Sequence, residues 1–343
     1  MIFRLRLGFG LVLFNFLLCL IAWGIGQAQS ATNPLVFWSR QHDTYALIVV
    51  DPQRLLQLRA APSPNLLVTS LPLTSPTGKQ VVFEVFQSGN QGLYLSDRTG
   101  RALYTTDFAW QDRLPGWSPD GEKLVFWSNR TGQWHLYLMQ TPFTSLQKIT
   151  TQSAMIPYNN PSWSPDGESI ALWFWRPGIG NSIYLLNVGS GDMRDIRNFV
   201  QTAADMAWSP DSRQIAFRSI RDYTAEISLL DIVQEATYNL SENAAIDFQP
   251  VWSPDGRQIA FVSNRGGSGN IYLMSSTGED AHPLSPDGGW SPAWSPDGHQ
   301  IAFTSRRNGL DALYLIDTDG THLQRIATLN QQHVFLGWYA PRQ

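Results

Sequence analysis

The residues of this 343-residue chain that could do chemistry are few and scattered. Its six histidines, His42, His135, His282, His299, His322 and His333, show neither H-x-H nor H-E-x-x-H spacing, so no pair is set to hold a metal from one local element. No G-x-S-x-G elbow offers a serine nucleophile. Asp317-Thr318-Asp319-Gly320 starts like a calcium loop, lacks the remaining ligand pattern and reads as a turn. No catalytic residue, cofactor or metal site is therefore expected. Two charged residues do recur. Asp stands at 120, 166, 211, 255 and 297, each in a separate turn. Arg stands at 40, 130, 176, 221, 265 and 306 or 307. The Asp residues read as turn formers. Each Arg either pins its own loop or a neighbouring blade, or contributes to a ring that receives carboxylates, which a guanidinium can hold by two hydrogen bonds.

The elements that position these residues are repeats. Trp-Ser-Pro-Asp-Gly begins at Trp117, Trp163, Trp252 and Trp294; Trp208-Ser209-Pro210-Asp211-Ser212 differs in one residue, and Thr74-Ser75-Pro76-Thr77-Gly78 is a weaker copy. Pro presets φ at the second turn position, Asp suits the third, and Gly opens the fourth. Around each turn lie short runs of β-branched and aromatic residues, such as Pro250-Val251-Trp252, Ile259-Ala260-Phe261, Ile271-Tyr272-Leu273-Met274 and the more polar His282-Pro283-Leu284. Successive Trp residues are 46, 45, 44 and 42 apart. Four strands in about 40–45 residues is the signature of a β-propeller blade. The repeated Trp, buried between blades, is worth about 3–5 kcal/mol if cut to Ala.

Second-strand positions number seven: Phe37, Phe83, Phe126, Leu172, Phe217, Phe261 and Phe303. The expected fold is all-β, a propeller of seven four-stranded blades over residues 35–343, with six blades as the alternative. The first blade lacks an innermost strand. Phe335 to Trp338 supplies one with no blade after it, and Trp338 lies 44 residues beyond Trp294. Pairing of the two termini would close the ring and remove open sheet edges.

The Trp-Ser-Pro-Asp-Gly turn with its following Ile-Ala-Phe strand resembles the WD40-like Asp-repeat of the TolB β-propeller family, and the resemblance covers nearly the whole chain after the leader. It implies a scaffold that binds a protein partner at the channel mouth, as the TolB propeller binds the peptidoglycan-associated lipoprotein. TolB itself has six blades and an additional N-terminal α/β domain not expected here, so a full Tol transport role is not implied. Oligogalacturonate lyases also resemble the repeat. Their metal is held by clustered His, whereas only His333 here is expected near an inner strand. A carbohydrate or cell-wall binder is a third reading, with Tyr158, Phe248 and Trp290 as stacking platforms.

Residues 1–30 read as a signal peptide, with Arg4 and Arg6 before an apolar run and small residues before the cleavage region; an uncleaved membrane anchor is the alternative. This places the propeller in the periplasm or outside the cell, or anchored at the inner membrane. Cys19, the one cysteine, lies inside this segment and follows Leu18, so neither lipidation nor a disulfide is expected. Without Arg4 and Arg6, 22 basic residues face 28 acidic ones, a net charge of −6 with no basic stripe, which argues against nucleic-acid binding. An envelope protein is the expected partner and a glycan the alternative. The candidate rim residues are Arg130, Tyr158, Asn159, Asn160, Arg176, Arg221, Gln249, Asn264, Arg265, Trp290 and Arg307. They lie in the second-to-third-strand loops and the segments between blades, opposite the Trp-Ser-Pro-Asp-Gly turns.

Overall fold

The computed structural model describes residues 35–41, 44–51, 54–59, 66–70, 72–97, 100–151, 156–157, 159–176, 180–196, 203–221, 224–285, 287–328 and 333–338. The expected leader at 1–30 lies outside them. All regular elements among the described residues are β-strands, gathered into seven antiparallel sheets. Each sheet follows the local sequence outward from the centre. In the third blade the strands are Asp112–Trp117, Lys123–Ser128, His135–Gln140 and Ser145–Lys148. The fifth runs Ala203–Trp208, Gln214–Arg221, Thr224–Asp231 and Ala236–Asn239. The sixth runs Asp247–Trp252, Gln258–Ser263, Asn270–Ser275 and His282–Pro283. The seventh runs Trp290–Trp294, Gln300–Ser305, Ala312–Asp317 and Gln324–Thr328. In the second and fourth blades the innermost strand is split, into Leu67–Val68 with Leu73–Thr74 and Ile156–Pro157 with Ser162–Trp163. The first sheet joins strands from both ends of the chain, because Leu35–Gln41 pairs with His333–Trp338.

Strand alternation sends successive side chains to opposite faces of a blade, so every core is shared by two blades. Phe126 packs with Val82, Leu93 and Leu95 of the second blade, while its neighbours Val125 and Trp127 pack with Ile170, Leu172 and Tyr184 of the fourth. The fifth and sixth blades share Ile227, Leu229, Phe261 and Tyr272. The sixth and seventh share Val262, Ile271, Phe303 and Tyr314.

The repeated Trp adds a directed bond to this packing. Each indole N–H donates to the carbonyl just before the equivalent position of the preceding blade. Trp117 reaches Leu73 at 3.1 Å, Trp163 reaches Gly116 at 3.2 Å, Trp208 reaches Ser162 at 3.1 Å, Trp252 reaches Ala207 at 3.1 Å and Trp294 reaches Val251 at 3.1 Å. The turn after each Trp is closed from within. Ser253 Oγ donates to Asp255 Oδ1 at 2.6 Å and accepts the Gln258 N–H at 2.9 Å, and Asp255 Oδ1 also accepts the Arg257 N–H at 3.1 Å. Gly256 sits at φ +71°, where a glycine avoids the cost of a side chain. In the fifth blade Ser212 holds this conformation at φ +63°. Its Oγ offsets the strain by accepting the Asp166 N–H of the preceding turn at 3.0 Å.

Two substitutions test these contacts. Trp252→Phe keeps most of the buried ring but orphans the Ala207 carbonyl, and should lower the unfolding free energy by about 1–3 kcal/mol in urea titrations followed by circular dichroism. Ser212→Ala should destabilise by about 1 kcal/mol, keeping the strained φ without the inter-turn bond, whereas Ser212→Gly should be close to neutral.

Candidate functional site

The innermost strands build the centre of the ring. In the third, fifth, sixth and seventh blades their ladder breaks at the two residues that stand three and two before the repeated Trp. The first of these is left-handed in each case: Leu114 at φ +54°, Asp205 at +52°, Gln249 at +53° and Ser291 at +54°. A bulge re-aims side chains. Here Asp205–Ala207, Gln249–Val251 and Ser291–Ala293, from three successive blades, line an open depression of about 290 Å³. Its polar groups are ordered by one another. Gln249 Oε1 accepts the Ser291 N–H at 2.9 Å, which leaves the Gln249 amide nitrogen as a donor. Arg218 Nε lies 3.1 Å from Asp205 Oδ2, both side chains about one-third exposed (32% and 33%).

Three of the recurring Arg residues are pinned by defined contacts. Arg130 donates from one terminal nitrogen to both carboxylate oxygens of Asp112 at 3.0 Å and from Nε to Ser128 Oγ at 2.9 Å. Its guanidinium lies over Tyr137, 4.8 Å from the ring centre. Arg265 repeats this with Asp247 at 3.0 Å, Ser263 at 2.8 Å and Tyr272 at 4.8 Å. Arg307 takes Ser285 Oγ at 2.6 Å in place of an Asp and lies 4.7 Å from the Tyr314 ring centre. Charge-assisted bonds plus aromatic stacking fix the guanidinium groups of Arg130 and Arg265 to their own blades, whereas Arg307 stacks on its own blade and bonds to the end of the preceding one. Arg176 and Arg221 end the second strands of their blades; their side chains and the whole of Tyr158 lie outside the described residues.

The remaining candidates divide between loop support and the centre. Asn264 Oδ1 accepts the Ile246 N–H at 2.7 Å, tying the second-to-third-strand loop to the segment entering the sixth blade. Asn160 is exposed and donates to the Pro115 carbonyl of the preceding blade at 2.6 Å, next to half-buried Asn159. Trp290 is half-buried and packs on the core shared by the last two blades. Of these residues, only Gln249 lines the central depression. Sequence reasoning missed Asp112 and Asp247 as arginine partners. Their signal is a shared place five residues before the repeated Trp. It also missed a hydroxyl clasp, in which Thr106, Thr150 and Ser241 accept the N–H groups of Leu93, Leu136 and Ile227 at 3.0 Å. The arrangement offers donors, a carboxylate and a guanidinium to a bound partner. Among the described residues no group of three His, Cys, Asp or Glu side chains could hold a metal.

This architecture defines a β-propeller built from Asp-turn repeats. The TolB beta propeller domain family (PD40) matches residues 36–181 and 153–291, and the chain belongs to that family. Among solved structures it is similar to a putative TolB from Agrobacterium tumefaciens, 28% identical over 67% of this chain and 84% of that one with a TM-score of 0.53. TolB from Acinetobacter baumannii is 18% identical over 88% and 81% of the two chains, TM-score 0.53. Oligogalacturonate lyase from Vibrio parahaemolyticus is 14% identical over 86% and 85%, TM-score 0.62. A search of curated protein sequences returned no match.

Two titrations separate the acid response of the hydroxyl clasp from that of the turns. The carboxyls of Asp211 and Asp255 are held below the usual range, first by the hydroxyls of Ser209 and Ser253 and then by the N–H groups of Arg213 and Arg257. Their folded values lie below the unfolded value of about 3.9, so their contribution is complete above it and is lost as pH falls through the folded value. His135 is pushed down by burial and by Lys148, against a hydrogen bond with the Thr150 backbone. Its neutral form favours the fold, so stability falls once pH drops below the unfolded value of about 6.5. Urea midpoints measured from pH 8 to 3 should therefore show an early slope that His135→Gln removes. Asp255→Asn should alter the profile only by lowering the plateau above about pH 4, converging with the parent in stronger acid.

Proposed function

We propose that this chain is a non-catalytic propeller scaffold, exported through residues 1–30, whose channel-mouth face docks a protein partner of the cell envelope. The observation that carries the reading is the distribution of apolar side chains. Of the nine exposed large apolar residues described, Leu67, Phe86, Trp110, Ile220, Ile246 and Leu310 lie on the face opposite the Trp-Ser-Pro-Asp-Gly turns. Val233 and Leu323 lie in the loops beside those turns, and Tyr238 lies on an outer strand. Exposed apolar groups with arginine and aromatic neighbours are what a protein interface uses for affinity. The rigid innermost strands and the variable segments between them suit specificity. Membership of the TolB propeller family supports the same face and the same kind of partner.

The test is capture from envelope extract with residues 29–343 as bait. One variant carries Trp110→Ser, Ile246→Ser and Leu310→Ser; a control carries Val233→Ser and Leu323→Ser on the opposite face. A protein retained by parent and control and lost from the triple variant, with unchanged circular dichroism, is the expected result. Retention that ignores all five substitutions, or no retained protein, would overturn the reading in favour of a glycan or a metal-dependent substrate.

A further inference from the structure

Five described arginines of the mouth face have an acceptor within the ring: Arg130, Arg265, Arg307, Arg306 with Asp311, and Arg218 with Asp205. Arg113 is different. It stands four before Trp117 on the innermost strand of the third blade, where the other copies of the repeat carry uncharged Ser70, Asn159, Ala204, Phe248 and Trp290. Its guanidinium carbon lies 4.3 Å from the ring centre of Trp134. Trp134 directly precedes the third strand, and the strand registers align it with Gln91, Asn181, Ala225, Gly269 and Asp311, none of them aromatic. Both members of this pair are departures that the repeating frame does not require, and they meet.

Among the described residues the Arg113 guanidinium has no hydrogen-bonded acceptor and no ion pair, and its Nε is buried. Glu84 acts on it only through space, because Glu84 Oε1 accepts the Leu114 N–H at 2.8 Å. Burial pulls the Arg113 pKa down and Glu84 opposes this only in part. Trp134 is a firm platform, since it packs against the core shared by the third and fourth blades. A guanidinium held over an aromatic face keeps its donor edge for a carboxylate. Trp110, 42% exposed, stands on the segment that leads to Arg113. That segment is tied to the loop before Trp134, because Asn129 Oδ1 accepts the Gln111 N–H at 2.8 Å.

We propose that Arg113, presented by Trp134, receives a side-chain carboxylate of the docked protein partner, with Trp110 packing on an apolar residue beside it. The inference rests on the docking reading above and names what the partner must bring, an Asp or Glu next to an apolar side chain. A protein segment fits better than a polyanion. One described guanidinium without an acceptor, with Glu84 near it, on a chain of net charge −4, attracts a single carboxylate and repels a run of phosphates or uronates.

The experiment uses residues 29–343 and an array of short peptides, each carrying one Glu or Asp beside Leu or Trp and paired with its Gln or Asn counterpart; trigalacturonate is a separate arm. The parent should prefer the acidic member of a pair by about 10-fold or more. Arg113→Gln should bring that ratio close to one with an unchanged thermal midpoint, and Arg113→Lys, which keeps the charge without the fork, should restore only part of it. Arg306→Gln, which removes the same charge elsewhere on this face, should keep the preference. A structural role for Arg113 would instead lower the midpoint and weaken acidic and amide peptides alike. No acidic preference in the parent, or an equal one in Arg113→Gln, would overturn the proposal even where envelope extract yields a partner. Arg113-dependent binding of trigalacturonate above every peptide would overturn it in favour of a glycan. An Arg113-dependent acidic preference with no partner in the extract would support the carboxylate site and sink the docking reading alone.

Discussion

The hydrogen bond from each repeated indole to the carbonyl of the preceding blade is the constraint on which the ring depends. A four-stranded blade has two apolar faces and cannot cover either alone. Packing supplies most of the attraction between blades, but packing is non-directional. The bond from Trp252 to Ala207 and its four counterparts fix how far one blade slides against the next. The Ser-Pro-Asp-Gly turn follows from this demand. It holds the indole at the start of a tight reversal whose polar groups are satisfied internally, so the strand carrying Trp enters and leaves the junction at a set angle. Where the repeat is imperfect, at Ser212, the lost glycine is offset by a new bond to the neighbouring turn.

The same logic explains the arginines. A residue that recurs once per blade is shaped first by what every blade needs. Arg130, Arg265 and Arg307 close the end of their blades opposite the turns, over the aromatic pair of the two middle strands. What differs from blade to blade is the partner at their tip: Asp112, Asp247 or Ser285. Individuality is concentrated there and in the bulged residues that face the centre, Asp205, Gln249 and Ser291. The repeat builds the frame and the departures from it furnish the surface.

Much of the frame was legible because turns and strand alternation are local. The Trp-Ser-Pro-Asp-Gly period carries the blade boundaries, and Phe126, Phe217, Phe261 and Phe303 sit fully buried where the Ile-Ala-Phe strands place them. The all-β propeller class and the TolB family follow from those same residues. The site was less legible, because its contacts join segments with no common local pattern. Asp112 meets Arg130 across 18 residues, and Gln249 meets Ser291 across 42. The left-handed residue three before each Trp is a Leu, an Asp, a Gln or a Ser. No composition announces that conformation when glycine is absent. Trp290, read as an exposed platform or a packing residue, turns out to rest against the core between the last two blades.

The bulge in the innermost strands also determines how the centre of the ring can be occupied. The position two before the repeated Trp is Pro115, Pro161, Pro250 or Pro292, and in the weaker second-blade copy it is Pro72; the fifth blade has Met206 there. The innermost strand is the edge of its sheet, and an edge normally invites another chain to extend it. Proline has no N–H to offer, and the adjoining bulge breaks the ladder that an added strand would follow. Where the proline stands, the wall of the cavity resists β-augmentation, and in the fifth blade the bulge alone opposes it. Anything that enters must be read through side chains, one blade at a time, which makes the centre a selective socket instead of a template for aggregation.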